Sequence, residues 1–452
     1  MSRAGGKGNL FGLSAEAKRQ LIERLSAQRP PTALRADASA LPGSDEINRI
    51  AETAEFLGIA DPFYREHQGI AGAETLIDGR RYINFASYDY LALNGDPRIT
   101  EAAKATIGRY GTTVSASRMV SGERAVHREL ESALAQIYQA DDAMVTVSGH
   151  ATNVSVIGTL LAPGDVILHD ALAHNSIIEG ARLSGAQRLV FPHNNLDAAK
   201  RLLRDAHGQR ALIAIEGHYS MDGDVPNLAA FIAIARRYGA WLMVDDAHAL
   251  GVLGERGFGT AEHSGIDPSE VDLWMGTLSK SLVSCGGYIA GKKPLIEYLK
   301  RRVPGFVFSV GMAPSAAAAA LAALQILQAE PSRVARLRRN ATLFLGLLRD
   351  AGIDTGRSIG AAIVPVITGS AIRAGSLSAA LFERGINAPP ILYPAVPERA
   401  ARLRFFASAG HSEVQLRQSA DIIIEESRRV AAEPVDLDRL AQHLDKSERR
   451  PR

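Results

Sequence analysis

The chain has 452 residues, about three times the ~150-residue prior for one domain, so a large apolar core is within reach. Hydrophobic residues at 46% and charged residues at 22%, with 41 Gly and 20 Pro, exclude collagen, coiled coil and wholesale disorder. Lys plus Arg number 51 against 49 Asp plus Glu, and a net charge of +2 is too small for the electrostatic footprint of a dedicated nucleic-acid binder.

Residues 1–45 read as a tail carrying an amphipathic helix at Ser14–Gln28, with Leu21 and Leu25 on one face. No apolar run of signal-peptide length follows the first basic residues, so export is not expected. Residues 46–97 start helical and give way to extended pieces such as RRYINFAS before a turn at Asn94-Gly95-Asp96-Pro97. Then apolar, β-rich runs recur at Ala143–Val147, Asp165–Leu168, Arg188–Phe191, Ala211–Ile215, Trp241–Val244 and Leu273–Gly276, with helical patterns between most of them. Near-continuous apolar strands belong where helices cover both faces, so residues 98–335 are expected to form a large α/β domain on a mostly parallel, doubly wound sheet.

The stretch between Arg302 and Glu330 has no charge and is long enough to suggest a membrane span. Pro304 and Pro314 interrupt it, and alanine dominates after Ser315, so it is expected to split into a strand at Phe306–Ser309 and a buried helix opening near Pro314. Residues 336–435 read as a smaller C-terminal α/β domain: a basic helix from about Val334, AAIVPVIT, a helix at Gly375–Arg384, INAPPILYP, RLRFFAS and a helix from about Ser412. Residues 436–452 read as a solvated tail. A single cysteine, Cys285, excludes an intrachain disulfide and a Cys-rich zinc or iron–sulfur site, and is expected to be a small packing residue. A reducing, cytoplasmic setting and no metal follow as expectations.

In open parallel sheets ligands bind outside the carboxyl ends of the strands. There the sequence places Ser148-Gly149-His150, His174, Ser220, Asp245 with Asp246 and His248, and Ser279-Lys280. Ser148-Gly149-His150 at a strand-to-helix turn offers free N–H groups at the positive end of a helix, which suits a phosphate; a plain N-cap serine explains it equally well. Asp245 closes an apolar strand, and a buried carboxylate needs a cation or a donor; a pyridinium N–H or a structural salt bridge would each serve. Lys280 stands on a hydroxyl-lined loop before Cys285-Gly286-Gly287, where an amine can lose its proton and form a Schiff base, although an isolated Ser-Lys pair usually just caps a turn.

These residues carry a resemblance. From about Tyr82 to Ala432 the chain resembles the α-oxoamine synthases of the fold type I pyridoxal-phosphate enzymes, a group that includes 8-amino-7-oxononanoate synthase and serine palmitoyltransferase. The resemblance lies in YINFASYDYLAL, YGTTVSASRMVSG with HRELE, SGHATN, HDALAHNS, EGHYSMDGD, VDDAHALGVLGERGFG, TLSKSLVSCGGYIAG, FVFSVGMAP, and YPAVP with RLRFFASAGHS, all in family order. It implies pyridoxal 5'-phosphate held covalently by Lys280, with Asp245 at the pyridine nitrogen and His174 stacked on the ring. His248 and Ser220 would lie near the ring hydroxyl, and Ser148, Gly149, His150, Thr277 and Ser279 on the phosphate side. The segment Phe308–Met312, with Ser309, would complete the phosphate site of a neighbouring subunit, so a homodimer is implied. Arg404 would grip the substrate carboxylate, with Arg402 the lesser candidate and Tyr88 and Asn84 as further substrate contacts. The implied reaction joins a small amino acid to an acyl thioester with loss of CO2, giving a 2-amino ketone and free thiol.

The departures also carry expectations. Tyr88 stands where several relatives have asparagine, as in serine palmitoyltransferases, and favours serine or alanine over glycine. Val283 replaces a glycine and Val310 a hydroxyl residue, which points to an altered cofactor grip, and Phe406 replaces a threonine, which points to a different thioester pocket. The long tail, with Lys300-Arg301-Arg302 and Arg336-Arg338-Arg339, allows an acyl-carrier protein as well as CoA as donor, although such basic runs are usually solvated faces. Serine hydrolase and dinucleotide readings fail on spacing around Ser220 and around Gly251, Gly254, Gly257 and Gly259. An aminotransferase, or a non-catalytic partner subunit, remains as the alternative.

Overall fold

The computed structural model describes residue 41 and residues 43–433. Gly58–Asp436 form one compact unit, and the helix Ser44–Phe56 lies outside it. The expected helix at Ser14–Gln28 and the tail at 436–452 fall outside the described residues.

A first small sheet is built from β1 (Glu74–Ile77) and β2 (Arg80–Asn84). The large sheet follows, from β3 (Asp142–Thr146), β4 (Val166–Asp170), β5 (Gln187–Phe191), β6 (Ala211–Glu216), β7 (Trp241–Asp245), β8 (Leu273–Thr277) and β9 (Gly287–Gly291). Its order is β3-β9-β8-β7-β6-β4-β5, and every neighbour pair is parallel except those of β9. β9 is a strand that the sequence reading left out. It can run antiparallel because a short loop, residues 278–286, turns straight back from β8 and no crossover helix is needed. Lys280 rides on that loop.

The two-residue period of the strands divides the core into two layers. Leu168, Ile213, Val244, Trp274 and Tyr288 point into one, and Ile167, Leu212, Met243, Met275 and Ile289 into the other. Helices cover both faces, which is the doubly wound arrangement. On the second face the helices Gly149–Leu160 and Asn175–Ser184 come close because Gly180 has no side chain: a Cβ there would stand 2.9 Å from the Asn153 carbonyl oxygen.

The C-terminal part carries a separate antiparallel sheet, β10 (Ile363–Ile367), β12 (Pro390–Ile391) and β13 (Arg402–Phe406), while β11 (Ile386–Asn387) joins β2. Leu403 and Phe405 of β13 pack with Phe344, Val364, Leu381 and Ile423 into a core of their own. The alternate residues Arg402 and Arg404 therefore face the other way. Two expectations are corrected here. Phe306–Ser309 is not a strand: Pro304, set for the first helical position, starts the short helix Pro304–Val307. The next helix opens at Pro314 as expected and ends at Ala329, and no helix among the described residues is long and apolar enough to cross a membrane. The helix expected at Gly375–Arg384 begins earlier, at Ala371, because Ser370 caps it by accepting from the Arg373 N–H.

Candidate active site

Asp245 ends β7, and Glu216 ends β6 directly opposite it in the ladder. By strand period both lie on the face of Met243 and Leu212, beneath the helix Gly149–Leu160. Asn153 of that helix donates to Asp245 Oδ2 at 2.7 Å, and the Ala247 N–H donates to Oδ1 at 3.0 Å. The same Asn153 amide donates to Ser176 Oγ at 2.9 Å, and Ser176 meets His174 Nδ1 at 2.7 Å. A chain of polar contacts thus runs from the carboxylate to the imidazole.

Glu216 uses its two oxygens on two different loops. Oε1 accepts from the His174 N–H at 2.7 Å and Oε2 from the Ser220 N–H at 3.1 Å. Burial, helped by the neighbouring Asp245, pushes its carboxyl up to about 8. Desolvation lowers the His174 imidazole, with Asp245 pulling the other way. Ser220 is buried.

Among the described residues Lys280 makes no hydrogen bond and no ion pair, and its ammonium stands 5.8 Å from the centre of the Tyr88 ring. Burial lowers its amine to about 8 against the pull of Asp245 and Glu216, so a useful neutral fraction exists near neutral pH. Thr277 Oγ1 meets Ser279 Oγ at 2.7 Å and donates to the Gly286 carbonyl at 3.0 Å. The Ser148 hydroxyl accepts from the Ala151 N–H at 3.4 Å, so the N-cap explanation holds for its side chain. Gly149 lies against Thr277, where a Cβ would come within 2.9 Å of Thr277 Oγ1. His150 is exposed, with its ring 6.2 Å from that of His174.

His248 is buried, and its Nδ1 meets the Tyr90 hydroxyl at 2.7 Å. Burial holds its pKa well below the ordinary imidazole value, with Lys280 and Arg404 adding to the effect. Arg404 reaches from β13 to the loop after β6: Nη1 donates to the Ser220 carbonyl at 2.8 Å, the guanidinium covers the Phe406 ring at 4.6 Å, and the buried Nε–H has no acceptor. Arg402 is consumed by Asp222, the Met221 carbonyl and the Ala400 carbonyl. Beyond Lys280 opens a cavity of about 400 Å3, with Tyr88, Asn84, His67, Asp89, Val283 and Ser284 among its walls.

Two expectations change. Asn84 touches the cavity but is no free contact: its amide donates to the Gly72 carbonyl, and its oxygen accepts from the Ala86 N–H and from Asn387 Nδ2. Cys285 is exposed rather than packed in the core. Ser309 follows the short helix Pro304–Val307 and makes no hydrogen bond among the described residues. Glu216, Asn153 and Tyr90 belong to the site although sequence reasoning did not single them out. EGHYSMDGD and SGHATN contained the first two, but which residue faces the catalytic edge depends on strand register. His193, Asp222 and Asp224 also cluster. There His193 spends both ring nitrogens on Asp170 and Asp224, and Asp222 pairs with Arg402, the pattern of an ion-pair network.

An amine without a partner, an acceptor carboxylate below it, an imidazole alongside and a helix N-terminus on the far side fit pyridoxal phosphate, and this architecture is that of a fold type I pyridoxal-phosphate enzyme. Residues 80–423 match the family model for aminotransferase class I and II. The chain is 39% identical over 377 residues to the 8-amino-7-oxononanoate synthase of Symbiobacterium thermophilum, covering 83% of this chain and 94% of that protein. With the Geobacter sulfurreducens protein of the same name it shares 40% over 362 residues, 79% of this chain and 92% of the other. The serine palmitoyltransferase structure from Sphingomonas wittichii superposes with a TM-score of 0.83 at 29% identity, over 88% of this chain and 100% of that one. A structure of SPT with PLP gives 0.82 at 29%, over 87% of this chain and 100% of that one. The chain belongs to the α-oxoamine synthase family. Its cofactor is pyridoxal phosphate, and its reaction is the decarboxylative condensation of an amino acid with an acyl thioester.

Proposed function

We propose that the amino acid is serine or alanine rather than glycine, and that the residues gathered around Lys280 divide the work as follows. Tyr88, on the cavity wall with its ring 5.8 Å from the Lys280 ammonium, carries the choice of amino acid, and the Lys280 amine, lowered to about 8 and unpaired among the described residues, carries the division of work. When bound, the cofactor supplies a protonated ring that accepts the electrons released at the amino acid Cα. Lys280 would hold the cofactor, and its amine is the base that takes the proton from the amino acid Cα. Asp245, oriented by Asn153 and the Ala247 N–H, accepts the hydrogen bond of the ring N–H and so keeps that proton in place. His174, its imidazole fixed by Ser176, would hold the cofactor from one side. His248 and the Ser220 hydroxyl face the ring oxygen. The amides of Gly149 and His150 and the hydroxyls of Thr277 and Ser279 hold the phosphate, where the helix dipole favours an anion.

Arg404 holds the substrate carboxylate, and its unsatisfied Nε–H supports this role. The carbon nucleophile then forms a bond to the acyl carbonyl and the thiol leaves. Loss of CO2 from the resulting β-keto acid and return of a proton give the 2-amino ketone. Tyr88, 40% exposed on the cavity wall, stands beside the reacting centre. We assign the working form to a homodimer in which the segment Phe308–Met312 serves the partner's phosphate site. Supporting this is an exposed apolar group, Phe308, Val310, Met119 and Val120, on two segments tied by the Gly311 N–H donating to the Ala116 carbonyl at 2.9 Å.

The test is the visible absorption of the cofactor-loaded protein during separate titrations with serine, alanine and glycine, followed by a thioester on CoA or on a carrier protein. Saturable change with serine or alanine, then release of CO2 and free thiol, is the expected result. Conversion of the cofactor to its amine form without thiol release would instead establish an aminotransferase.

A further inference from the structure

Val283 has φ +40°, in the left-handed region. A β-branched residue is strained there, because its Cβ crowds the following carbonyl, whereas glycine adopts such a backbone freely. The turn is pinned on both sides and does not relax: Val283 N–H donates to the Lys280 carbonyl at 2.9 Å, Ser284 N–H to the Leu278 carbonyl at 2.9 Å, and Ser284 Oγ to the Ala316 carbonyl at 2.6 Å. A strained side chain kept where glycine would fit without strain points to a use for that side chain.

Its location indicates the use. Val283 and Lys280 line the same cavity, whereas Asp245, His174 and Arg404 are not among its walls. Lys280 thus borders this cavity, as Ser279 does, while its amine feels the charges of Asp245, Glu216 and Arg404. Under the proposed function, on which this inference rests, the cofactor and the amino acid carboxylate occupy the side of Asp245 and Arg404. The cavity is then left for the second reactant, the acyl thioester. We propose that Val283 is a specificity-determining residue that limits the bulk of the donor beside its thioester carbonyl. Its two methyl groups narrow the cavity within the turn that Lys280 opens. Straight-chain acyl groups pass, and donors branched at the carbon next to the carbonyl are turned away.

The experiment compares the cofactor-loaded wild-type protein with Val283→Gly and Val283→Ala, using butanoyl-CoA against 2-methylpropanoyl-CoA and the same two acyl groups on a carrier protein. In both variants the straight-to-branched ratio of kcat/KM is expected to fall by ~10-fold or more, the effect of about one methyl-sized group in an apolar pocket. Val283→Gly is expected to melt no lower than wild type because the strain is gone, and Val283→Ala to melt below Val283→Gly because its backbone strain persists. An unchanged ratio in both variants overturns the proposal. A lower melting temperature for Val283→Gly with the ratio unchanged assigns Val283 to core packing and equally overturns it. If the wild-type protein releases neither CO2 nor thiol with any thioester, the functional reading itself falls. Condensation with unaltered preference removes only the role of Val283.

Discussion

Arg118 and Lys280 are both largely removed from water, yet only one of them is paired. The Arg118 guanidinium lies between Glu123, at 2.8 Å, and Glu131, both within reach of its fork. Burial works against its charge, but the two carboxylates keep it firmly protonated. Lys280 has no such partner, and its amine falls to about 8. A paired buried cation is a structural element; an unpaired one is a reactive group held ready. The neighbourhoods explain the difference. Glu131 also takes the Val145 N–H at 2.9 Å and Lys300 at 3.4 Å, so its charge is shared among fixed donors, whereas Asp245 is turned toward Asn153 and away from direct contact with Lys280.

Four changes break or sharpen this contrast. Lys280→Ala should abolish condensation and covalent cofactor attachment while the fold survives, its melting temperature no lower than wild type, since only an unpaired amine is removed; turnover in that variant would refute the mechanism. Asp245→Asn should slow Cα–H exchange in deuterated water by ~10²-fold, the scale of losing one preorganised electrostatic contact, with amino-acid binding changed far less. Unchanged exchange would remove Asp245 from the electron-accepting role. Arg118→Leu leaves Glu131 buried without its main counter-ion and should cost about 3–5 kcal/mol in urea unfolding, and adding Glu131→Gln should recover part of that loss. A stability change below 1 kcal/mol would show the pair to be weak.

The smallest effect concerns His193, bridging Asp170 at 2.9 Å and Asp224 at 2.8 Å. Desolvation opposes its charge, but the two carboxylates raise it from its ordinary 6.5 to about 9. Its folded value lies above its unfolded one, so its stabilisation is complete below 6.5 and is lost as pH rises through about 9. The stability gap between wild type and His193→Gln should therefore be widest at pH 6, by about 2 kcal/mol, and close by pH 10. A gap independent of pH would mean that the imidazole acts by packing alone.

Much of this arrangement was legible before any coordinates. Apolar runs ending in Asp245, ahead of Ser220 and ahead of Ser279-Lys280 announced parallel strands with chemistry at their carboxyl ends, and the structure puts those ends on one edge. What was hidden has local causes. β9 reads GYIAG, whose glycines look like a continuation of the loop; they are needed because Gly287 packs with its missing side chain 2.6 Å from Gly149 Cα. The four residues expected as a strand at Phe306–Ser309, three of them apolar, are too few for periodicity to decide, and Pro304 settles the matter in favour of a helical turn. Asn84 was expected to face substrate because residue type does not reveal that Gly72, Ala86 and Asn387 already use its amide. Glu216 was passed over because period gives the face of a strand and not its cross-strand neighbour.

The loop Phe308–Met312 has a further consequence for assembly. Phe306 lies 5.2 Å under the Arg118 guanidinium, the Gly311 N–H is bound to the Ala116 carbonyl, and His127 Nε2 meets the Met312 carbonyl at 2.8 Å. The protomer thus casts the shape of this loop before any second copy arrives, so in the proposed homodimer little ordering entropy remains to be lost on docking. The ion pairs around Arg118 would then act as a mould for the neighbour's phosphate pocket.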